Sequence, residues 1–552
     1  MPDLRRVLQD YDPGLLRVIA GHWGLQLEAL GQREAAEALA LHMLQPDRLV
    51  ELIASLPAEA RAALETLARD GRLPLAPFMR RHGELRAMGP ARRDREQPWD
   101  NAPSTTEALW YRGLIASAFF DEGPGPQEFV FVPDDVLALA PRPESAPQSP
   151  APPGHARAHL PSPGSRRTAL DLAPDDAVTL LAYLQVTPVR LEGASFPPKH
   201  REALRRFLRL PDALDLALHL AIHLGLIGDS PLKVEPARAR PFLEAAHPVQ
   251  TQALARAWRE SREWNDLLHV PGLVFEGQAW RNDPLTARQA ILNVLAEVPA
   301  GVWWSLDSFV SAVKERHPDF QRPAGDYDSW YIRDAATDTY LRGFENWERV
   351  DGALVRWTVE HPVYWLGLVE VGVEDEVAFR LTPYGAAFLE RRAWPEAGPP
   401  APIAVSAGGI LSLPASASAY DRFQLARVSD WLPLADEGYR YRLTPAALAR
   451  AARKGIGVSR IVAYLEKATG EAVPPALVGA LHRWERNGGE AAVKDTVVLQ
   501  LRSADLLQTL LRTPAVKRFL GESVGPAAVE VRREDIPRLR EAMGEVGILV
   551  DD

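Results

Sequence analysis

The sequence predicts a mainly α-helical protein of the α+β class, built from several small domains. A pattern of three helices followed by a β-hairpin recurs three times along the chain. The first 57 residues show only helical periodicity, and strand-like runs alternate with helices after residue 492. A chain of 552 residues also exceeds what one hydrophobic core usually serves, so several domains are expected.

The composition is that of a globular protein with a net negative charge. Lys and Arg number 63 and Asp and Glu number 73, which gives a formal net charge of -10. There is no cysteine, which excludes disulfides, thiolate metal sites and a catalytic thiol. The start, "MPDLRRVLQD", lacks the apolar core of a signal peptide, and no apolar run approaches the ~20 residues of a membrane span. We therefore expect a cytoplasmic protein that does not enter a membrane.

Residues 1–57 predict a helical cap, and residues 58–140 predict the first copy of the repeat. The helix "AEARAALETLARDG" should end at Gly71, and Ser104 or Thr105 should cap a later helix. Two apolar runs around a Gly/Pro turn, "IASAFFDEGPGPQEFVFVP", indicate a hairpin. Three helices followed by a hairpin is the order of a winged helix. The rings of Trp99, Trp110 and Tyr111 could stack on bases, but Trp110 is expected in the core of this repeat.

Residues 141–167 predict a linker between the first and second copies. This stretch contains eight prolines with Ser, Gly and Ala and almost no large apolar side chains, so it cannot build a core. Residues 168–245 then predict a second winged helix and residues 246–392 a third.

Residues 402–552 predict a different domain that ends in a small α/β module at about 492–552. It repeats the Arg-Leu-Thr-Pro of residues 380–383 at residues 442–445. Thr can cap a helix whose first turn accommodates Pro, so a strand should turn at Thr444 into a helix that reaches Arg453 or Lys454. Gly455 and Gly457 should stop that helix, and Ser459 could cap the next one. In the module we expect strands in "AVKDTVVLQL", "AAVEVR" and "GILV".

The stretch 439–470, called the basic segment below, concentrates positive charge in this acidic chain. It holds seven cationic side chains and one acid, Glu466. Such a cluster can contact phosphates without regard to sequence. The candidate nucleic-acid-binding residues are Arg440, Arg442, Arg450, Arg453, Lys454 and Arg460. The alternative is a solvated helix face whose arginine stems cover apolar surface.

Several enzymatic motifs are absent or out of context. No Gly-Lys dipeptide occurs, which excludes a P-loop motor, and no lysine has an acid two residues before it, as a restriction-type nuclease usually does. "GESVG" (521–525) matches a hydrolase elbow, but a helix precedes it and a strand follows, so Ser523 is expected in a plain loop. We expect neither catalytic residues nor cofactors.

Two further pairs of residues have a structural and a functional interpretation. His219 and His223 are spaced to share a metal on one helix face, but no acid lies between them, so packing is the preferred interpretation and no metal is predicted. Asp175 and Asp176 lie where a helix should begin, so they are expected to cap it.

The C-terminal part, residues 402–552, resembles the N-terminal domain of XPB-type DNA helicases. The residues that carry the resemblance are Tyr441–Thr444, Leu448, "GIGVSRIVAYLE" and "LRSADLLQTLL". This domain also occurs in bacterial helicase-associated proteins without a motor, and the missing Gly-Lys places this chain with them. In the helicases the domain precedes the motor and is thought to contact DNA or partner subunits. The resemblance therefore implies a non-enzymatic, DNA-associated protein that assists a helicase, repair or transcription complex in trans. The alternative is a protein–protein interaction scaffold without DNA affinity.

Overall fold

The computed structural model confirms a mixed α+β protein with mainly helical content, about 52% helix and 14% strand in small sheets. No helix among the residues it describes is both long and apolar enough to cross a membrane. It describes residues 1–27, 30–100, 102–121, 126–140, 152–157, 165–193, 195–229, 231–277, 282–322, 325–435, 438–488 and 497–550.

The chain divides into two compact units. The first unit contains residues 1–402, 413–427 and 432–440, and the second contains residues 403–412, 428–431 and 441–552. The three repeats therefore belong to the first unit, whereas most of the basic segment belongs to the second unit.

The N-terminal part of the first unit follows the predicted order of helices and strands. Gly71 ends a helix with a φ of +80°, and the Ser104 hydroxyl accepts the Glu107 N–H at 3.0 Å, both as predicted. The elements are α1 Leu4–Gln9, α2 Pro13–His22, α3 Gln32–Met43, α4 Pro46–Ser55, α5 Ala58–Asp70, β1 Arg72–Pro74, α6 Leu75–His82, α7 Pro90–Glu96, α8 Thr105–Trp110, β2 Ala116–Asp121, β3 Pro126–Phe131 and α9 Asp134–Leu139.

The predicted cap and the first repeat share one hydrophobic core. Buried side chains from α1 to α5 and from α8 to α9 form a single cluster. The Trp23 indole N–H donates to the Arg112 carbonyl at 2.9 Å, and the Leu4 N–H donates to Asp135 at 2.9 Å. Residues 1–57 are thus packed onto the repeat, with no separate core of their own among the described residues.

The second and third repeats also belong to the first unit. Their elements are β4 Arg166–Arg167, α10 Leu172–Val186, α11 Pro198–Arg205, α12 Leu214–His223, β5 Ile227–Asp229, β6 Leu232–Val234, α13 Pro236–Glu244, α14 His247–Glu260, β7 Leu273–Phe275, α15 Pro284–Leu295, β8 Trp304–Ser305, α16 Leu306–Arg316, β9 Ile332–Asp334, α17 Ala353–Thr358, β10 Val369–Val373, β11 Val377–Leu381 and α18 Pro383–Phe388. Single π-helical turns, 348–352 and 359–363, flank α17.

The three repeats connect their strands in the same way. In each, a segment between the first two helices pairs antiparallel with the last strand of the hairpin. These pairs are β1 with β3, a bridge from Val189 to Leu232 in β6, and β8 with β11. This connectivity agrees with the predicted repeat, and the assignment of the copies as winged helices stays a prediction.

The described parts of the predicted linker lie along the third repeat. The Trp304 indole N–H donates to the Pro153 carbonyl at 2.7 Å, and the Arg157 N–H donates to the Trp303 carbonyl at 3.0 Å. Strand β4 pairs with β10. Residues 141–151 and 158–164 lie outside the described residues. This part of the predicted linker thus contacts the third repeat through the carbonyl oxygens of Pro153 and His155.

The elements after residue 402 include the predicted strand-turn-helix and C-terminal module. They are β12 Ala404–Val405, β13 Ile410–Pro414, α19 Ala419–Ala426, β14 Asp430–Trp431, β15 Gly438–Arg442, α20 Pro445–Arg453, α21 Val458–Thr469, α22 Pro475–Asn487, β16 Val497–Gln500, α23 Ala504–Arg512, α24 Pro514–Lys517, β17 Leu520–Gly525, β18 Ala528–Val531 and α25 Ile536–Glu545.

The C-terminal module differs from the prediction in one strand. Its sheet has the order β16-β18-β17, so the third strand is β17 and the predicted strand "GILV" (547–550) is wrong. Ile548 and Val550 instead pack partly against the core of the module, while Leu549 is 89% exposed. The alternation of apolar residues in this segment therefore reflects packing against the core and not pairing in a sheet.

Gly385, in the first Arg-Leu-Thr-Pro turn, permits a close approach of the backbone. Its N–H donates to the Thr382 hydroxyl at 3.0 Å, and a Cβ at this position would overlap the carbonyl oxygen of Leu368. We expect Gly385→Ala to lower the free energy of unfolding by ~2–3 kcal/mol, because α18 must move away from this carbonyl. Chemical denaturation checks it. Gly21→Ala is the control, since no described atom lies within 4 Å of its Cβ, and it should be neutral or stabilising by up to ~1 kcal/mol.

Candidate nucleic-acid interface

Strand β15 presents two of the six candidate arginines on one face. Tyr439 and Tyr441 are buried, whereas Arg440 and Arg442 are exposed, which is the period-2 alternation of a strand. Arg440 is the last residue of the first unit, and Arg442 belongs to the second unit together with the other four candidates.

The turn from β15 into α20 forms as the sequence predicts. The Thr444 hydroxyl accepts the Ala447 N–H at 3.1 Å, and Pro445 occupies the first turn, where a missing N–H costs nothing. The same hydroxyl donates to Asp430 at 2.6 Å. The cap is thus attached to a carboxylate from β14.

Arg450 is engaged within the protein. Its guanidinium donates to the Asp430 carboxylate at 2.6 Å and to the Ser429 carbonyl at 3.4 Å. The two side chains are each about two-fifths exposed. A phosphate at Arg450 would therefore have to compete with a carboxylate, so this residue contributes less to an anion site than its charge suggests.

Arg453 is the last residue of α20 and lies opposite its buried face, and Lys454 follows it as the C-cap. Ala447, Leu448 and Ala451 are buried, while Arg453 and Lys454 are exposed. Cations in the last turn of a helix interact favourably with its dipole. This local role accounts for part of the positive charge without any ligand.

Gly455, with a φ of +74°, ends α20 as predicted, but the start of α21 differs from the prediction. Helix α21 begins at Val458 with Gly457 as its N-cap, so Ser459 is not the cap. The Val458 N–H donates to the Glu485 carboxylate of α22 at 2.9 Å. An anionic side chain thus occupies the positive end of α21, and Arg460 is exposed in the first turn behind it.

The electrostatic balance over residues 438–488 is strongly positive. Nine Lys and Arg side chains stand against three glutamates in this stretch. Within the part of the chain that the structure describes, Arg440, Arg442, Arg453 and Arg460 make no hydrogen bond or ion pair through their side chains. These guanidinium groups are exposed and carry their full charge to solvent, as a phosphate-contacting surface requires.

The structure contradicts the expected positions of Ser523, Asp175 and Asp176 and agrees with that of Trp110. Ser523 lies within strand β17, which is followed by β18 and not by a helix, so the hydrolase elbow is absent there. Asp175 and Asp176 do not cap a helix: both are buried inside α10, where Asp175 pairs with Arg422 at 2.8 Å. Trp110 packs against the N-terminal core beside Tyr11, as expected.

His219 and His223 share one face of α12, as predicted, and an acid that the sequence analysis missed lies beside them. Glu263 follows α14, and its carboxylate is 3.8 Å from Nδ1 of His223. It is 40 residues from His223 in sequence, so no motif spacing reveals it.

A comparison with protein families places a helicase-associated domain in the second half of the chain. The model described as "Helicase conserved C-terminal domain" matches residues 405–525. No curated protein matches the chain. All six candidate residues lie within the matched range, so the chain carries a helicase-associated domain around the basic segment.

Proposed function

We propose that this protein is a non-enzymatic, DNA-associated factor that works in trans with a helicase, repair or transcription complex. The observation that carries the proposal is the exposed basic surface of the second unit within the helicase-type match. We define this surface by Arg442, Arg453, Lys454 and Arg460, with Arg450 at its margin. A cytoplasmic location in a bacterial cell agrees with this function.

The chemistry of these side chains suits the phosphate backbone. Guanidinium groups form paired, charge-assisted hydrogen bonds to phosphate oxygens, and each neutralised phosphate releases counterions. Such contacts do not read base sequence. The basic surface would hold the protein on DNA while the three winged-helix segments of the first unit dock the partner or the duplex.

The missing motor motif supports the proposed action in trans. A P-loop motor needs a Gly-Lys pair to cradle phosphates, and this sequence contains none. ATP-driven translocation on DNA would therefore be supplied by another chain.

We expect DNA affinity to fall steeply with salt and to depend on the basic surface. Fluorescence anisotropy with labelled double-stranded and single-stranded oligonucleotides, from about 50 to about 200 mM salt, should show a log–log slope of several units, about 0.9 per phosphate on duplex DNA. Arg453→Ala/Lys454→Ala/Arg460→Ala should reduce that slope by about 2 to 3 and weaken binding at least tenfold. Arg450 is left intact because its substitution would also release Asp430.

The matched control is Arg512→Ala/Lys517→Ala/Arg533→Ala, which removes the same charge from exposed positions of the same unit. It should keep most of the affinity. The proposal fails if the wild-type protein does not bind DNA at about 50 mM salt, or if both triple variants lose affinity equally.

The second candidate function is a protein-interaction scaffold without DNA affinity. It is favoured by the formal net charge of -10 and by the carboxylate partners of Arg450 and of the α21 N-terminus. Under this function the exposed arginines would contact an acidic protein surface, and the anisotropy experiment would show no binding.

A further inference from the structure

Three metal-ligating side chains converge in the second repeat of the first unit. His219 and His223 project from α12, and Glu263 comes from the segment that follows α14. One donor atom from each lies within 4.8 Å of those of the other two. Within the described residues, this is the one group of three His, Asp or Glu side chains whose donor atoms lie so close together.

The segment that carries Glu263 is held in place by a buried arginine. The guanidinium of Arg288 donates to the carbonyl oxygens of Ser261, at 2.8 Å, and Trp264, at 2.7 Å. It also pairs with Asp266 at 2.7 Å, and both side chains are almost fully buried. Glu263 lies between the two anchored carbonyl groups, so its backbone position relative to α12 is fixed before any ligand binds.

A hydrogen-bonded serine links the two sides of the cluster. Nε2 of His219 is 2.7 Å from the Ser261 hydroxyl, which is 3.2 Å from the Glu263 carboxylate and accepts the Trp264 N–H at 3.1 Å. Ser261 therefore connects His219 and Glu263 in one chain of hydrogen bonds. The His219 and His223 rings are stacked with their centroids 6.1 Å apart.

We propose that His219, His223 and Glu263 bind one divalent transition metal ion of the zinc class. Two imidazole nitrogens and one carboxylate are donors that zinc takes with bonds of about 2.0–2.2 Å. Donor atoms on one tetrahedral ion are then about 3.3 Å apart, against 3.8 Å between Nδ1 of His223 and the Glu263 carboxylate. The three donor atoms lie within 4.8 Å of one another, so all of them must approach further. The side chains of His223 and Glu263 are 32% and 69% exposed, which leaves them room to rotate. Three protein ligands leave one further position on a tetrahedral ion.

Metal titration of the untagged full-length chain tests the proposal. After treatment with a chelator and its removal, calorimetry with zinc chloride should show one site per chain, and Co²⁺ should give the visible absorption of a low-coordinate ion. His223→Ala and Glu263→Gln should each weaken zinc binding at least tenfold. Both side chains are partly exposed, so these variants should unfold at the same temperature as the metal-free wild type.

The matched control is His482→Gln, which removes a histidine that also lies near a glutamate, at 3.5 Å from Glu485, but has no second histidine. It should bind one zinc ion as tightly as the wild type. Absence of a zinc site in the wild-type chain, or one-site binding unchanged in both His223→Ala and Glu263→Gln, would overturn the proposal. DNA binding by the basic surface is measured separately and does not depend on this outcome.

Discussion

Replacing Arg288 with Met is expected to lower the free energy of unfolding of the first unit by ~3–5 kcal/mol. Asp266 would keep its charge in a buried site after its partner is lost. Its other partners are the indole N–H groups of Trp258 and Trp264, both at 3.0 Å, and these do not neutralise it. The carbonyl oxygens of Ser261 and Trp264 would also lose their donor.

Denaturant unfolding followed by tryptophan fluorescence measures this loss, because Trp258 and Trp264 contact the Asp266 carboxylate, which loses its arginine partner. Arg262→Ala is the control: it removes an exposed arginine from the same segment and should change stability by less than ~0.5 kcal/mol. Adding Asp266→Asn to Arg288→Met should recover part of the loss, since Asn keeps an acceptor for the indoles without the charge. A double variant that is less stable than the Arg288→Met single variant would contradict this account.

Local features of the fold could be predicted from the sequence because they depend on a few neighbouring residues. The cap at Thr444, the stops at Gly71 and Gly455, and the hairpin of the first repeat all formed as expected. Ser459 shows the limit of this reasoning. The helix instead begins at Val458, before Ser459, and a carboxylate from another helix, Glu485, accepts the Val458 N–H at its start. No residue near Ser459 in the sequence indicates this partner.

Features that depend on distant partners could not be predicted. Asp175 has the local context of a cap, but its partner Arg422 lies 247 residues away in sequence. Glu263 completes the histidine pair only because α12 and the end of α14 pack together. The sequence places Arg450 among the candidate DNA-binding residues, because a count of charges does not show that the Asp430 carboxylate lies beside it.

The sequence therefore predicts where a candidate DNA surface lies, and the structure shows which of its arginines already has a partner within the protein. The cluster of cations in residues 439–470 is a property of composition, so reading it needs no fold. Which of these charges remain available is a property of packing. Exposed Arg442, Arg453 and Arg460 have no partner among the described residues, whereas Arg450, in the last turn of α20, is bonded to Asp430 of β14.

Replacing Arg422 with Met is expected to destabilise the first unit by ~3–5 kcal/mol, and the loss should grow as the pH rises. The Arg422 guanidinium donates to the Asp175 carboxylate at 2.8 Å and to the Asp175 carbonyl at 2.6 Å, and it stacks over the Tyr439 ring at 3.6 Å. Both charged side chains are 4% exposed. These contacts attach α19 to α10, so their loss should release the 413–427 segment from the first unit.

The pH dependence comes from His247, whose Nε2 is 3.5 Å from Asp175. Burial lowers the pKa of His247, but the hydrogen-bonding and charge interactions with Asp175, together with the charge of Asp171, outweigh burial, so the net shift of the pKa is upward. Below this raised pKa the imidazolium neutralises part of the Asp175 charge, and above it that compensation is lost. Arg422→Met should therefore be less destabilising at about pH 6 than at about pH 8.

Arg240→Ala is the matched control, because Arg240 lies on α13 over the Tyr420 ring of the same α19 but is 67% exposed. It should change stability by less than ~0.5 kcal/mol at either pH. A loss for Arg422→Met that is the same at both pH values would show that His247 does not compensate Asp175.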